Sequence, residues 1–296
     1  MNRPLDPKGL DIGGAAARKA VTAPVKLAYG AGQLVEGVST TVVGSFLFFF
    51  YTAVLGLSGA MVGAAAAISL VADAVADPLL GSWSDNTRSR WGRRIPFMAV
   101  GAPIVALGLG LAFSPPGPPS PLALFVWLTM ISLGLRFAIS VFNVPFIALG
   151  AEISEDYAER SSVVAYRTVF SIVGSLVAVV LGYSVFLAGP GGLLAAPHYP
   201  PLAWTAAALV AVGGAVSVFG IRRFAAGLPV TPVDPVALHR RFVGEVAEIF
   251  KNPSFRVLFA TSVLFFVAQG VAATLGVHMN VFVWKMTPAQ IQVTIL

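Results

Sequence analysis

The chain has 296 residues, of which 57% are hydrophobic and only 11% are charged, and its formal net charge is +6. Soluble domains carry about 25% charged residues, so this composition excludes a soluble protein and indicates an integral membrane protein. The basic residues are concentrated in a few connections between apolar segments, so the net charge does not predict a nucleic-acid partner. The sequence contains no cysteine, which excludes disulfides and thiolate metal sites.

The predicted elements begin after residues 1–25, which are mostly polar or small and lack the apolar core of a signal peptide. We expect these residues to form a cytosolic N-terminal tail. The apolar segments that follow are long enough to cross a bilayer as helices, and none shows the alternation of an outer-membrane barrel. The predicted spans are residues 27–55, 59–83, 95–114, 122–150, 163–188, 201–221 and 256–284, with an eighth starting near residue 287.

The connections between the predicted spans indicate how the chain is oriented in the membrane. Four arginines lie between the second and third spans and five basic residues lie in residues 222–253, whereas three other connections contain none. Because basic residues concentrate on the cytosolic side, we expect a cytosolic N-terminus. The predicted domains are a six-helix bundle at 26–221, a cytosolic loop at 222–253 and the first helices of a second, incomplete bundle at 254–296. We expect a fragment, since the sequence stops within an apolar segment.

Asp73 and Asp77 are the first candidate functional residues, because residues 59–83 contain no other charge. Side chains four residues apart face the same side of a helix. Carboxylates inside a membrane are costly unless a positive charge compensates them, so such residues are functional candidates. The pair therefore predicts a site for a coupling cation, sodium or a proton. The alternative is a structural ion pair, for example with Arg136.

Two later spans carry polar side chains at helical spacing. These residues are Ser132, Arg136, Ser140 and Asn143 in the fourth span and Arg167, Ser171 and Ser175 in the fifth. Because a polar stripe facing lipid is penalised, we expect both stripes to line a shared cavity. Arg136 would be a counter-ion or a solute contact there. Glu36 in the first span would be a solute contact or part of the cytosolic vestibule. If the three acids and two arginines share the cavity, a monovalent cation would neutralise their net charge of minus one.

Several motifs in this order resemble the glycoside–pentoside–hexuronide:cation symporters of the major facilitator superfamily, which include the melibiose carriers. The motifs are Asp-x-x-x-Asp-Pro from Asp73, the arginine-rich loop around Trp91-Gly92, Asn143-x-Pro-Phe, and Tyr166-Arg167. The resemblance covers residues 26–221 and extends weakly into the seventh span. It implies an all-α carrier of twelve helices that moves a sugar or sugar-like solute with a cation by alternating access.

The resemblance also implies site residues. The predicted cation ligands are Asp73, Asp77, Ser140 and Asn143, and the predicted solute contacts are Glu36, Arg136, Asn143 and Arg167. Arg136 is included from the polar stripe alone, and Glu36 is next to Gly37, which occupies the family's acidic position. Ala76 stands where sodium-coupled members often have asparagine, so the choice between sodium and a proton stays open. Apart from this ion, no cofactor is predicted.

The connection after the second span resembles the superfamily's Gly…Asp…Arg…Gly-Arg loop, whose charged contacts are thought to stabilise the outward-facing state. The matching residues are Gly81, Asp85, Arg88, Gly92, Arg93 and Arg94. Acidic residues after the fourth span, including Glu152, are their candidate partners. The alternative for this loop is a topology signal alone.

Three other functions stay open at this point. A non-transporting membrane sensor or assembly protein would use the same helices without moving a solute. A symporter of a lipid-like or other organic solute would keep the cation site and differ only in the solute site. An intramembrane enzyme has no supporting motif, since the sequence contains no His-Glu-x-x-His and no recognisable serine–histidine or paired Gly-Asp pattern.

Overall fold

The computed structural model describes residues 21–87, 89–117, 120–153, 156–228 and 248–295. Every regular element within these ranges is a helix, and seven helices are long and apolar enough to cross a membrane. They are α1 (Ala23–Val54), α2 (Gly59–Asn86), α3 (Ile95–Ala112), α4 (Pro121–Glu152), α5 (Tyr157–Phe186), α6 (Ala196–Ala225) and α7 (Pro253–Val283), followed by the short α8 (Pro288–Ile295). The all-α membrane fold predicted from the sequence is confirmed.

The helix boundaries agree with the predicted spans to within a few residues, with one larger difference in α5. This helix begins at Tyr157 because the side chain of Asp156 accepts a hydrogen bond at 2.8 Å from the backbone N–H of Glu159. Apolar length alone predicted a start near residue 163, since it does not register a polar first turn. Most of the predicted tail and of the inter-bundle loop lies outside the described residues, so the division into two bundles stays a prediction.

Helix packing places the polar stripes next to one another. The α2 helix packs against α4, the α1 helix packs against α5 and α6, and the α3 helix packs against α4 and α6. Large aromatic side chains fill the space between them, and Phe46, Phe50, Phe142, Phe146 and Tyr199 are fully buried. Polar residues of three helices lie close together, because side chains of α4 are hydrogen-bonded to Asp73 of α2 and to Glu36 of α1.

Gly37 allows the backbones of α1 and α5 to approach closely. A Cβ atom at this position would lie 2.5 Å from the carbonyl oxygen of Ser171 on α5. The hydroxyl of Ser175 donates a hydrogen bond to the carbonyl of Gly37 at 3.3 Å. Gly37, the family's acidic position, therefore has no room here for a side chain, and the neighbouring Glu36 supplies the carboxylate.

Gly37→Ala is expected to destabilise the protein by about 1–3 kcal/mol, because the new methyl group would push backbone against backbone. Thermal unfolding in detergent would measure the change. Gly44→Ala is the matched control, since this glycine is on the same helix with nothing within 4 Å of an added Cβ atom. Equal unfolding temperatures for the two variants would contradict this account of the α1–α5 contact.

Candidate cation and solute sites

Asp73 is located where α2 packs against α4, and Ser140 on α4 contacts it. The hydroxyl of Ser140 donates a hydrogen bond to Oδ1 of Asp73 at 2.8 Å. The Asp73 side chain is partly buried, at 25% exposure. The structure therefore brings together two of the four predicted cation ligands.

Arg136 lies one turn from Ser140 on α4 and approaches the other oxygen of the same carboxylate. Its Nη1 is 3.6 Å from Oδ2 of Asp73, and its Nε donates a hydrogen bond to Oγ of Ser69 at 3.1 Å. Ser69 in turn donates to the carbonyl of Ala66 at 2.8 Å. The sequence analysis did not single out Ser69, although it precedes Asp73 by four residues and thus lies on the same helix face.

The other two predicted cation ligands are not part of this contact. The side chain of Asp77 is exposed, and within the described ranges it makes no hydrogen bond or ion pair. Asn143 bonds to Glu36 instead of an aspartate, since its Nδ2 donates to Oε2 of Glu36 at 2.9 Å. The structure thus separates Asn143 from the cation side and places it with the predicted solute contact Glu36.

Glu36 is held between two amide side chains. Besides Asn143, the Nε2 of Gln33 also donates a hydrogen bond to Oε2 of Glu36. Because both amides direct their nitrogens at the carboxylate, their oxygens point away from it. Oε1 of Gln33 and Oδ1 of Asn143 are buried and have no hydrogen-bond partner among the described residues. The sequence analysis missed Gln33, whose signal was its position three residues before Glu36.

Arg167 lies elsewhere on the α1–α5 side of the bundle. Its guanidinium lies near the Tyr29 hydroxyl. That hydroxyl donates to the carbonyl of Phe146 at 3.0 Å, and the two aromatic rings stack with centroids 4.4 Å apart. Contacts in the described chain do not join Arg167 to Glu36 or Asn143, so the structure does not assemble the four predicted solute contacts into one cluster.

The connection between α2 and α3 forms an ion-pair cluster with the end of α4. Nη2 of Arg94 is 2.7 Å from Oε1 of Glu152 and 3.1 Å from Oδ1 of Asp85, and Arg93 also bonds to Glu152. Arg94 is only 7% exposed. Burial lowers the pKa of Arg94 from its ordinary value, and the carboxylates of Glu152 and Asp85 oppose that shift. Glu152 is the acidic partner that the sequence analysis proposed.

Two other predicted residues of this loop motif, Gly81 and Gly92, are not part of the ion-pair cluster. Gly92 adopts a φ of +91°, which favours glycine, and a Cβ atom there would lie 3.1 Å from the carbonyl oxygen of Ala225 at the end of α6. Gly81 lies within α2, where a Cβ atom would make ordinary contact with Val144. Arg88 lies outside the described residues. The ion pairs of Arg93 and Arg94 thus connect the end of α2, the start of α3 and the end of α4.

Glu152→Gln is expected to lower the free energy of unfolding by about 2 kcal/mol, because it leaves the buried Arg94 with Asp85 as its one remaining carboxylate partner in the described cluster. Glu159→Gln is the comparison variant, since Glu159 pairs with Lys26 at 3.0 Å nearer to solvent. We expect a change below about 1 kcal/mol there. Unfolding in detergent would measure both, and an equal loss would contradict a special role for Glu152.

The fold and these polar contacts together define a helical membrane protein with ionisable groups inside its bundle, the arrangement of a carrier. A family model described as "MFS/sugar transport protein" matches residues 28–296. The chain therefore belongs to this sugar-transport family of the major facilitator superfamily, as the motifs indicated, and the family consists of transporters and not enzymes. The seven long apolar helices of the described residues make it a multi-pass membrane protein.

Curated relatives agree with this family. The chain is 36% identical over 169 residues to an uncharacterized symporter of Synechocystis, covering 55% of this chain and 31% of that protein. It is 31% identical over 157 residues to the inner membrane symporter YicJ of Escherichia coli, covering 53% and 34%. It is 34% identical over 152 residues to the putative glycoside/cation symporter YagG of the same organism, covering 51% and 33%. The matched part of the chain thus spans about a third of these relatives.

Proposed function

We propose that this protein is a symporter that carries a sugar or sugar-like polar solute across the inner membrane together with sodium or a proton. The observation that carries the proposal is the contact of Asp73 with Ser140 between two membrane-spanning helices. A carboxylate inside a membrane-spanning bundle is costly unless a cation or a proton compensates its charge. The symporter relatives support the same conclusion.

The coupling cation would be held by Asp73, Asp77 and Ser140. Carboxylate and hydroxyl oxygens are the ligands that hard cations prefer, and these three side chains supply only such oxygens. Asp77 has no competing contact in the described chain, so its carboxylate is available to an ion. Ala76 offers no further side-chain oxygen, whereas a proton requires only one carboxylate. The proposal therefore keeps sodium and a proton as alternative coupling ions.

The solute would contact Glu36 and Asn143, with Arg136 and Arg167 as further contacts from other parts of the same face. Both neighbouring amides donate to Oε2 of Glu36, so Oε1 of this carboxylate has no hydrogen bond in the described chain and can act as an acceptor for the solute. Acceptors select a solute rich in hydroxyl donors, as a glycoside is. An anionic group at this point would meet the charge of Glu36, so hexuronides and sulfonated sugars are poor candidates for this part of the site.

Transport would follow alternating access, with the N-terminal tail on the cytosolic side. The bundle at 26–221 would move around the filled site against a second bundle, of which 254–296 form the first helices. The ion-pair cluster of Asp85, Arg93, Arg94 and Glu152 would lie on that cytosolic side. Its role would be to hold the cytosolic helix ends together in one state. Arg88 belongs to the same proposed loop, and Gly81 precedes it within α2.

Reciprocal binding tests the proposed function directly. The protein as its gene encodes it would be purified, and the affinity of neutral glycosides would be measured with sodium replaced by choline and at two pH values. One of the two ions should raise glycoside affinity by a factor of about 5–150, and the glycoside should raise the affinity for that ion equally. A glycoside affinity that depends neither on sodium nor on pH would contradict symport. An absence of glycoside binding would favour a different solute or a non-transporting protein.

A further inference from the structure

Arg136 occupies the side of Asp73 that Ser140 leaves open. Ser140 bonds to Oδ1 at 2.8 Å, and Nη1 of Arg136 is 3.6 Å from Oδ2. Both oxygens of the carboxylate therefore have partners, and one of these partners is a cation that belongs to the protein. We propose that Arg136 is a tethered competitor of the coupling cation, which must displace its guanidinium from Asp73 in order to bind.

The Arg136 contact has the features of a displaceable pair. Its side chain is 37% exposed, and 3.6 Å is longer than a charge-assisted hydrogen bond. The second anchor is the neutral hydroxyl of Ser69. Arg94 provides the contrast within the same chain, since it is 7% exposed and touches two carboxylates at 2.7 and 3.1 Å. Arg94 thus has the geometry of a tightly held, buried ion pair, and Arg136 does not.

The local charges explain why displacement is favourable. Asp77 lies one turn from Asp73 on α2, so the two carboxylates and Arg136 carry a net charge of minus one. Two further described charges lie on other parts of this face: Glu36 on α1, which is bonded to Asn143 of α4, and Arg167 on α5. One monovalent cation brings the group of three to neutrality, and the cation's bonds to the carboxylates replace those of the guanidinium.

Displacement would also link the cation to the solute. A guanidinium has five N–H donors, and the described contacts of Arg136 use its Nε and Nη1 only. Once released from Asp73, Arg136 can offer these donors to hydroxyl groups of a solute on the same face. Cation binding would then precede solute binding. This inference rests on the proposed symport function and adds the residue that couples the two ligands.

The test measures cation binding without using transport. The gene-encoded protein would be purified as wild type, Arg136→Gln, Arg136→Lys and Ser69→Ala. Arg223→Gln is the matched control, since it removes an exposed arginine at the end of α6. Thermal stabilisation and tryptophan fluorescence would be followed while sodium or lithium replaces choline at constant ionic strength. The quantity compared is the half-saturating cation concentration.

The tethered competitor predicts a graded result. Arg136→Gln should lower the half-saturating concentration about tenfold, because a unit charge beside the ion is removed. Ser69→Ala should lower it less, Arg136→Lys should stay near the wild type, and Arg223→Gln should leave it unchanged. An unchanged value in Arg136→Gln would overturn the inference. So would equal shifts in Arg136→Gln and Arg223→Gln, or a lack of sodium and lithium response in both the wild type and Arg136→Gln.

The two proposals can fail separately. If Asp73→Asn abolishes the cation response while Arg136→Gln leaves the half-saturating concentration unchanged, the cation site stands and only the competitor role falls. If the cation response survives Asp73→Asn, the proposed cation site itself is wrong. Because thermal stabilisation does not depend on the solute, a wrong choice of solute does not affect this comparison.

Discussion

Asp73→Asn is expected to reduce cation-driven solute uptake by about two orders of magnitude, because the amide removes the charge that a coupling cation compensates. The substitution nearly preserves the size of the side chain, and an amide can still accept the bond from Ser140. Packing between α2 and α4 should therefore survive, while coupling is lost. Uptake into membrane vesicles with an imposed sodium or proton gradient would measure the effect.

Two comparisons keep this result interpretable. Glu248→Gln removes one acid outside the membrane-spanning helices and should leave uptake unchanged. Asp77→Asn should also reduce uptake, since Asp77 has no protein partner in the described chain and its carboxylate is a proposed cation ligand. Full gradient-driven uptake in both aspartate variants would exclude this pair as the cation site.

Glu36→Gln is the second substitution with a large expected effect, a decrease in solute affinity of about 10- to 100-fold. Hydrogen bonds to a charged group contribute about 1.5–3 kcal/mol, and a glutamine supplies only one acceptor oxygen where the two amides and the solute need a carboxylate. The dissociation constant of a neutral glycoside would be measured on the purified protein. Thr41→Val, a partly exposed position farther along α1, is the control and should bind normally.

A specific outcome would contradict the role of Glu36. If Glu36→Gln binds the glycoside as well as the wild type does, the acceptor cluster is a structural feature of the α1–α4 contact. A gain in affinity for a glucuronide in the same variant would support the expectation that the charge of Glu36 excludes anionic solutes.

The family resemblance implied Ser140 as a partner of Asp73, and local spacing agrees with that prediction. The position of Asp73 on its helix face and of Ser140 in the polar stripe of α4 follow from a period of 3.6 residues, and the helix bounds follow from apolar length. Ser69 and Gln33 carry the same kind of signal, since each precedes a functional acid by one turn. They were missed because an uncharged polar residue beside a carboxylate is common in helices, and only packing decides which one bonds.

The distances between neighbouring helices could not be predicted from spacing. Gly37 lies against the backbone of Ser171, and the neighbouring Glu36 accepts a hydrogen bond from Asn143. The rotation of α1 that produces this arrangement depends on contacts with α5 that no local pattern encodes. Arg167 illustrates the same limit, because it lies near Tyr29 and makes no described contact with Glu36 or Asn143.

Accumulation of a solute against its own gradient tests the central claim most directly. The gene-encoded protein would be reconstituted into liposomes with equal glycoside concentrations inside and outside, and a sodium or proton gradient would then be imposed. Symport predicts that the glycoside accumulates inside under one of these gradients and that Asp73→Asn abolishes the accumulation. Glycoside that equilibrates across the membrane without ever accumulating would contradict cation coupling.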